Sequence, residues 1–154
     1  MLAATGRKPG LVVEIGGKDI NGSVRPLFGE PYVAVDVRPG PGVDVVADGA
    51  TYRPKLSAAM VVCCEVLEHT PDGAAICANA CAMLEPGGVF FLTAAGEGRA
   101  PHSAVDGGPL PEGEFYANVT RPMLEAWLAP FAAGTIAENQ TTGDIYAIAV
   151  KGDA

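Results

Sequence analysis

The sequence predicts a single α/β domain built on a mostly parallel sheet and closed by a C-terminal antiparallel hairpin. Three observations carry this: nearly continuous apolar runs of strand length, turn residues spaced between them as in alternating strands and helices, and a last pair of runs separated by two residues.

The five runs 11–15, 32–37, 43–47, 59–64 and 89–93 read as parallel strands covered on both faces, because their apolar residues scarcely alternate with polar ones. A short helix is expected after the first run, opening near Ser23 with Pro26 in its first turn and stopping at Gly29 or Pro31. Between the third and fourth runs, 49–58 is too short for an ordinary crossover and holds Pro54, so an irregular connection is expected. After the fourth run, Thr70 caps a helix with Pro71 at its first position, and Pro86, Gly87 and Gly88 end it. Another helix spans 120–128, with Leu124, Trp127 and Leu128 on one side and Pro130 stopping it. The runs 135–141 and 144–150 form the hairpin, joined by Thr142 and Gly143.

The bulk numbers exclude several classes. At 154 residues and 49% hydrophobic content, the chain fits one domain, 1–154, with a sizeable core. A net charge of −8 without a lysine or arginine run argues against nonspecific nucleic-acid binding. No apolar stretch approaches the roughly 20 residues of a membrane span, and the first ten residues lack the apolar centre of a signal peptide. A soluble, cytoplasmic protein is expected. Cys63, Cys64, Cys77 and Cys81 read as reduced core thiols. Cys77 and Cys81 would share a helix face, but no nearby histidine completes a zinc set, and no metal is expected.

The chemistry concentrates at the strand ends. Glu14, Ile15, Gly16 and Gly17 close the first strand, and the loop runs on through Lys18, Asp19, Ile20, Asn21 and Gly22. Glycines there let backbone approach a ligand. Asp36 ends the second strand about twenty residues later, where a carboxylate can take both hydroxyls of a ribose. Asp48 follows the third strand, placed to meet an adenine amino group. Ligands of open α/β sheets bind beyond the carboxyl ends of the strands, so all three acids are expected on one crevice.

These residues, with the segment Glu65-Val66-Leu67-Glu68-His69 after the fourth strand and Leu84-Glu85-Pro86-Gly87-Gly88 before the fifth, resemble the class I S-adenosylmethionine-dependent methyltransferases, particularly their small members. The resemblance implies a Rossmann-like seven-stranded methyltransferase fold. It implies that Glu14, Gly16, Gly17 and the loop to Gly22 hold the methionine part of the cofactor. Asp36, with Val37 beside it, would take the ribose, and Asp48 with Gly49 the adenine. Glu65, Val66 and Leu67 would line the site beside the sulfonium. The family's second and third loop glycines are replaced here by Lys18 and Ile20, so Asn21, Gly22 and Ser23 are expected to substitute through an altered loop. Family members carry helices before the first strand that cover the cofactor, whereas this chain reaches that strand at Leu11. The stretch 96–114, with Pro101, His102, Ser103, Asp106 and paired glycines, is the expected substrate loop.

Methyl transfer is an in-line displacement, in which orientation alone contributes on the order of 7 to 11 kcal/mol. If the acceptor is a hydroxyl, a general base helps, and the two histidines, His69 and His102, are the catalytic candidates. His69 could instead be structural, bonded to backbone, and His102 could merely cap a turn. Glu65 suits the neighbourhood of a cationic sulfonium, leaving Glu68 to anchor a helix start. Tyr116 would stack on an acceptor or pack beneath it, and Trp127 and Tyr146 read as core. A small-molecule acceptor is expected, its identity unread, and a second subunit in a homodimer could supply the missing lid. Two rivals stand beside this reading: a nucleoside-binding or interaction module with the same fold and no activity, and an NAD-dependent oxidoreductase. The second lacks its G-x-G-x-x-G, since Lys18 stands two residues after Gly16.

Overall fold

The computed structural model describes residues 10–153, so the leader reading, which concerns the first ten positions, falls almost wholly outside the described residues. The apolar runs form β1 (Val12–Ile15), β2 (Tyr32–Asp36), β3 (Val45–Val46), β4 (Ala58–Cys64) and β5 (Leu84–Ala95), followed by β6 (Ala133–Asn139) and β7 (Asp144–Val150). They make one seven-stranded sheet in the order β3-β2-β1-β4-β5-β7-β6. The first five strands pair in parallel, whereas β7 runs antiparallel to both β5 and β6. None of the helices among the described residues is long and apolar enough to cross a membrane.

Local chemistry moves several boundaries. Near Ser23 there is only a 3-10 turn, Arg25–Leu27, with Pro26 inside it. The segment between Gly22 and Gly29 is too short to offset the cost of helix nucleation. The first α-helix, α1 (Gly73–Met83), starts later than Thr70: the Thr70 hydroxyl accepts from the Asp72 amide at 3.1 Å, which makes Thr70-Pro71-Asp72 a turn that leads into the helix. It also stops before Pro86. Gly87, at φ 73°, and Gly88 lie inside β5, where they exchange backbone hydrogen bonds with Lys151. The second helix, α2 (Arg121–Trp127), is capped by Thr120, whose hydroxyl accepts from the Met123 amide. The hairpin turns through 140–143 rather than through two residues: the Asn139 side chain accepts from the Thr141 and Thr142 amides and ends β6 early. The connection 49–58 holds no helix.

Strand alternation divides the core. Val13 and Ile15 of β1, Val61 and Cys63 of β4, Phe90 and Leu92 of β5, and Ile145 and Ala147 of β7 share one cluster with α1 and α2. The opposite face holds a smaller cluster of Val12, Tyr32, Ala34 and Val62, overlaid by Val24 and Phe28. Coverage on both faces is therefore uneven: among the described residues both helices lie on one side, and Ile148, on the other, is half exposed. Trp127 packs against the first residue of α1, where a methyl on Gly73 would come within 2.6 Å of the indole. Cys63, Cys77 and Cys81 are buried, but Cys64 ends β4 facing the thin side and is only half-buried.

Phe90 is fully buried and stacks on Phe131 with ring centroids 5.7 Å apart. Phe90→Ala is expected to lower the unfolding free energy in a urea titration by about 3–5 kcal/mol, and a loss under about 1 kcal/mol would contradict this packing.

Candidate active site

Between β1 and β4 the strand order reverses direction, and ligands of open α/β sheets bind at such a switch point. A cleft of about 570 Å³ opens there. Glu14, Gly16, Gly17, Asn21, Gly22, Ser23, Asp36, Val37, Asp48, Gly49, Glu65, Val66, His69 and His102 all line it. Leu67 does not: it is buried in the main core, on the helix side of the 3-10 turn Leu67–His69.

The glycine loop is shaped by close approach. The Gly16 and Gly17 amides both donate to the Val35 carbonyl, at 2.8 and 3.0 Å, which folds the chain back over the end of β2. Gly16 has φ 79°, and a methyl there would lie 2.1 Å from Val66 Cγ2. Only glycine fits. Glu14 is buried beneath this loop, 6% exposed, and accepts a 2.8 Å hydrogen bond from the Tyr32 hydroxyl. Burial raises its pKa, partly offset by the Tyr32 hydrogen bond.

Asp36 braces the loop and the strand end together, its two oxygens accepting from the Lys18 and Arg38 amides at 3.3 and 2.9 Å. Asp48 accepts from the Ala50 amide at 2.8 Å, and its carbonyl takes the Thr51 and Tyr52 amides in a tight turn. Asn79, buried on α1, donates from its side chain to the carbonyls of Gly49 and Tyr52 and fixes that turn. Sequence reading missed Asn79, because its role rests on a contact across thirty positions.

Beyond β4 the chain is strained. Glu65 has φ 55°, the one described non-glycine residue at positive φ, and such strain clusters at functional sites. Its carboxylate accepts from the Thr93 hydroxyl at 2.9 Å and pairs with Arg99 at 3.4 Å, while Arg99 also holds Asp144. Glu68 does not anchor a helix start. It is fully buried, accepts from the Ala95 amide at 3.1 Å, and its carbonyl takes the Ala117 amide. Burial, then the charge of Glu65, pushes its pKa up to about 7. Among the described residues the His69 side chain has no hydrogen bond to backbone, and its Nδ1 is buried without a protein partner. Burial, then His102, lowers its pKa to about 4, so it is neutral at pH 7 and a weak base. His102 both lines the cleft and caps a turn, with Nδ1 3.0 Å from the Ala100 carbonyl. Tyr116 packs edge-on against both histidine rings.

The 96–114 loop lies at the cleft, lining it with His102, Ser103, Ala104 and Gly107. Glu114 accepts from the Ser103 hydroxyl and the Ala104 amide, and Arg38 donates to the Ala104 carbonyl at 3.2 Å. A methyl on Gly107 would sit 2.9 Å from the Asn21 side chain, so the loop tip meets the glycine loop. Arg38, Arg99 and Tyr32 were not singled out from sequence, and nothing in their local pattern marks them.

No protein-family model matches the sequence. Among curated proteins none matches either. Among solved structures the fold is that of the Rossmann-like class I methyltransferases. One similar structure is the 1,6-didemethyltoxoflavin-N1-methyltransferase of Burkholderia thailandensis, with 1,6-didemethyltoxoflavin and S-adenosylhomocysteine bound (TM-score 0.66, 18% identity, 95% of this chain and 72% of that one). Another is an amino pentose methyltransferase of Micromonospora echinaspora with S-adenosylmethionine bound (0.66, 17%, 94% and 84%). A third is the carbon-methyltransferase domain of the citrinin polyketide synthase (0.70, 16%, 96% and 48%). This chain spans about half the length of that structure. Identities this low establish the fold.

Glu14 also sets a pH dependence. Because its folded pKa lies above the ordinary 4.5, the folded state holds this proton more tightly than the unfolded state does. Its contribution is present below the unfolded value and is lost as pH rises through the folded one. Glu14→Gln is therefore expected to gain unfolding free energy relative to the unsubstituted protein as pH rises from 4.5 toward neutrality. A difference that stays flat across that window would remove the assignment.

Proposed function

We propose that this protein is an S-adenosylmethionine-dependent methyltransferase acting on a small-molecule acceptor by in-line transfer. The observation that carries the reading is the convergence of Glu14, Asp36 and Asp48 on one cleft at the switch point of the sheet. The similar structures with S-adenosylmethionine or S-adenosylhomocysteine bound support the same cofactor here.

The residues suit that cofactor. A cleft of about 570 Å³ matches an ordinary ligand pocket, and its glycine floor, at Gly16 and Gly17, has no room for a side chain. Gly16, Gly17 and the loop through Asn21, Gly22 and Ser23 would hold the methionine part, with buried Glu14 below. Asp36, beside Val37, would take the ribose, since its oxygens keep lone pairs beyond the two amides they accept. Asp48 and Gly49 would meet the adenine, the turn held by Asn79. When bound, the cofactor supplies an electrophilic methyl group on a sulfonium. Glu65 and Val66 wall the cleft at the β4 end, and the Glu65 carboxylate would favour that positive charge.

On the acceptor side, His69 and His102 line the cleft, and the 96–114 loop beside them would limit access of water. His69, neutral and weakly basic, would orient the acceptor, with His102 beside it on the loop. Alignment of acceptor and methyl at near-attack distance then does most of the work.

Calorimetry with S-adenosylmethionine, S-adenosylhomocysteine and NAD tests the reading. One equivalent of either sulfur nucleoside should bind and NAD should not; preference for NAD would overturn it. Asp36→Ala should weaken binding about a hundredfold or more, since two hydrogen bonds to a charged group are worth about 1.5–3 kcal/mol each. Undiminished affinity would remove Asp36 from the ribose site. Binding without turnover on an acceptor panel would favour a nucleoside-binding module.

A further inference from the structure

At the acceptor end of the cleft, one ligating atom from each of Glu68, His69 and His102 lies within 4.8 Å of the other two. These residues come from two separate segments, the 3-10 turn after β4 and the 96–114 loop. Glu68 Oε1 stands 4.0 Å from His69 Nε2, on side chains 0% and 10% exposed. Two buried atoms of the group, Glu68 Oε2 and His69 Nδ1, have no protein partner. Buried polar atoms are normally satisfied, and each of these orphans asks for a water or an ion. Arg99, the cation that acts on Glu68 from nearby, is already held by Glu65 and Asp144.

The geometry points to a divalent transition-metal site formed by Glu68, His69 and His102. Two neutral imidazoles and one carboxylate form a donor set suited to zinc, iron or cobalt, whereas magnesium and calcium want oxygen shells. With its Nδ1 hydrogen donated to the Ala100 carbonyl, His102 keeps the Nε2 lone pair free, the outer-shell arrangement that orients a metal-binding histidine. Tyr116 lies edge-on to both rings and closes the far side.

Metal–nitrogen and metal–oxygen bonds of about 2.0–2.2 Å require the three atoms to draw together by roughly an ångström. The adjustable member is His102, which sits on the loop rather than on the sheet. Glu68 is fixed by the Ala95 amide at the end of β5. Three protein ligands leave coordination positions open, and His69 and His102 present them to the cleft. If the methyltransferase reading holds, and only this step rests on it, the ion would grip an oxygen or nitrogen donor of the acceptor.

The full-length, metal-stripped protein is titrated with Co²⁺, read by visible absorption, and with Zn²⁺, read by calorimetry. One equivalent of each should bind, with a cobalt spectrum free of a thiolate charge-transfer band, and zinc should displace cobalt. His102→Ala and Glu68→Gln should each weaken binding by about tenfold or more. His102→Ala lies on a loop, so it remains informative if the buried Glu68 variant does not fold. No saturable binding, undiminished affinity in His102→Ala, or a thiolate band that assigns the ion to Cys64 would overturn the site. S-adenosylhomocysteine affinity is measured separately, so metal binding without nucleoside binding defeats only the methyltransferase reading, and the reverse result defeats only this one.

Discussion

Strand β1 is four residues long, yet it is hydrogen-bonded in parallel register to β2 on one side and β4 on the other. That double pairing is the constraint on which the site depends. It brings the carboxyl ends of three strands to one rim, so that Glu14, Asp36 and the Glu65 bend open on a shared cleft. Because the Gly16 and Gly17 amides both donate to Val35, the chain leaving β1 must cross the end of β2 before it can turn away. The loop geometry is thus a consequence of sheet register, and the absence of the usual later glycines matters less than the first two.

Around that rim the acids divide into two environments. Asp36 and Asp48 keep their places through backbone amides, which stabilise a carboxylate and leave lone pairs for a ligand. Glu14 and Glu68 are buried, and their proton affinity rises for that reason. The histidine pair occupies the same cleft on the far side of Glu65, next to the loop that Glu114 and Arg38 hold down. The acid-lined end of the cleft and the histidine pair therefore sit on either side of one strained residue.

Coverage of the sheet is unequal, and this has a structural consequence. Helices α1 and α2 pack on the face that carries most of the core, while the other face is overlaid by Val24 and Phe28. Glu14 and Tyr32 point to that thinner side. Their mutual hydrogen bond is a polar contact on the face that, among the described residues, no helix covers.

The strand runs, their order of appearance and the acids at their ends were legible from sequence, since a strand buried in a parallel sheet leaves an unbroken apolar signature and its end is marked by glycine or a carboxylate. Boundaries were less so at Thr70, Pro86 and Thr142, because one side-chain or backbone hydrogen bond decides whether a turn or a regular element forms. Leu67 was assigned to the site by the resemblance of its segment, but the 3-10 turn rotates it into the core while His69 faces the cleft. Only tertiary structure decided the company of Glu68, His69 and His102, the bracing by Asn79, and the contacts through which Glu114 and Arg38 hold the 96–114 loop. Local pattern records how each residue suits its own strand or turn; contacts between segments far apart in the chain depend on how the sheet is assembled, and no short-range signal encodes them.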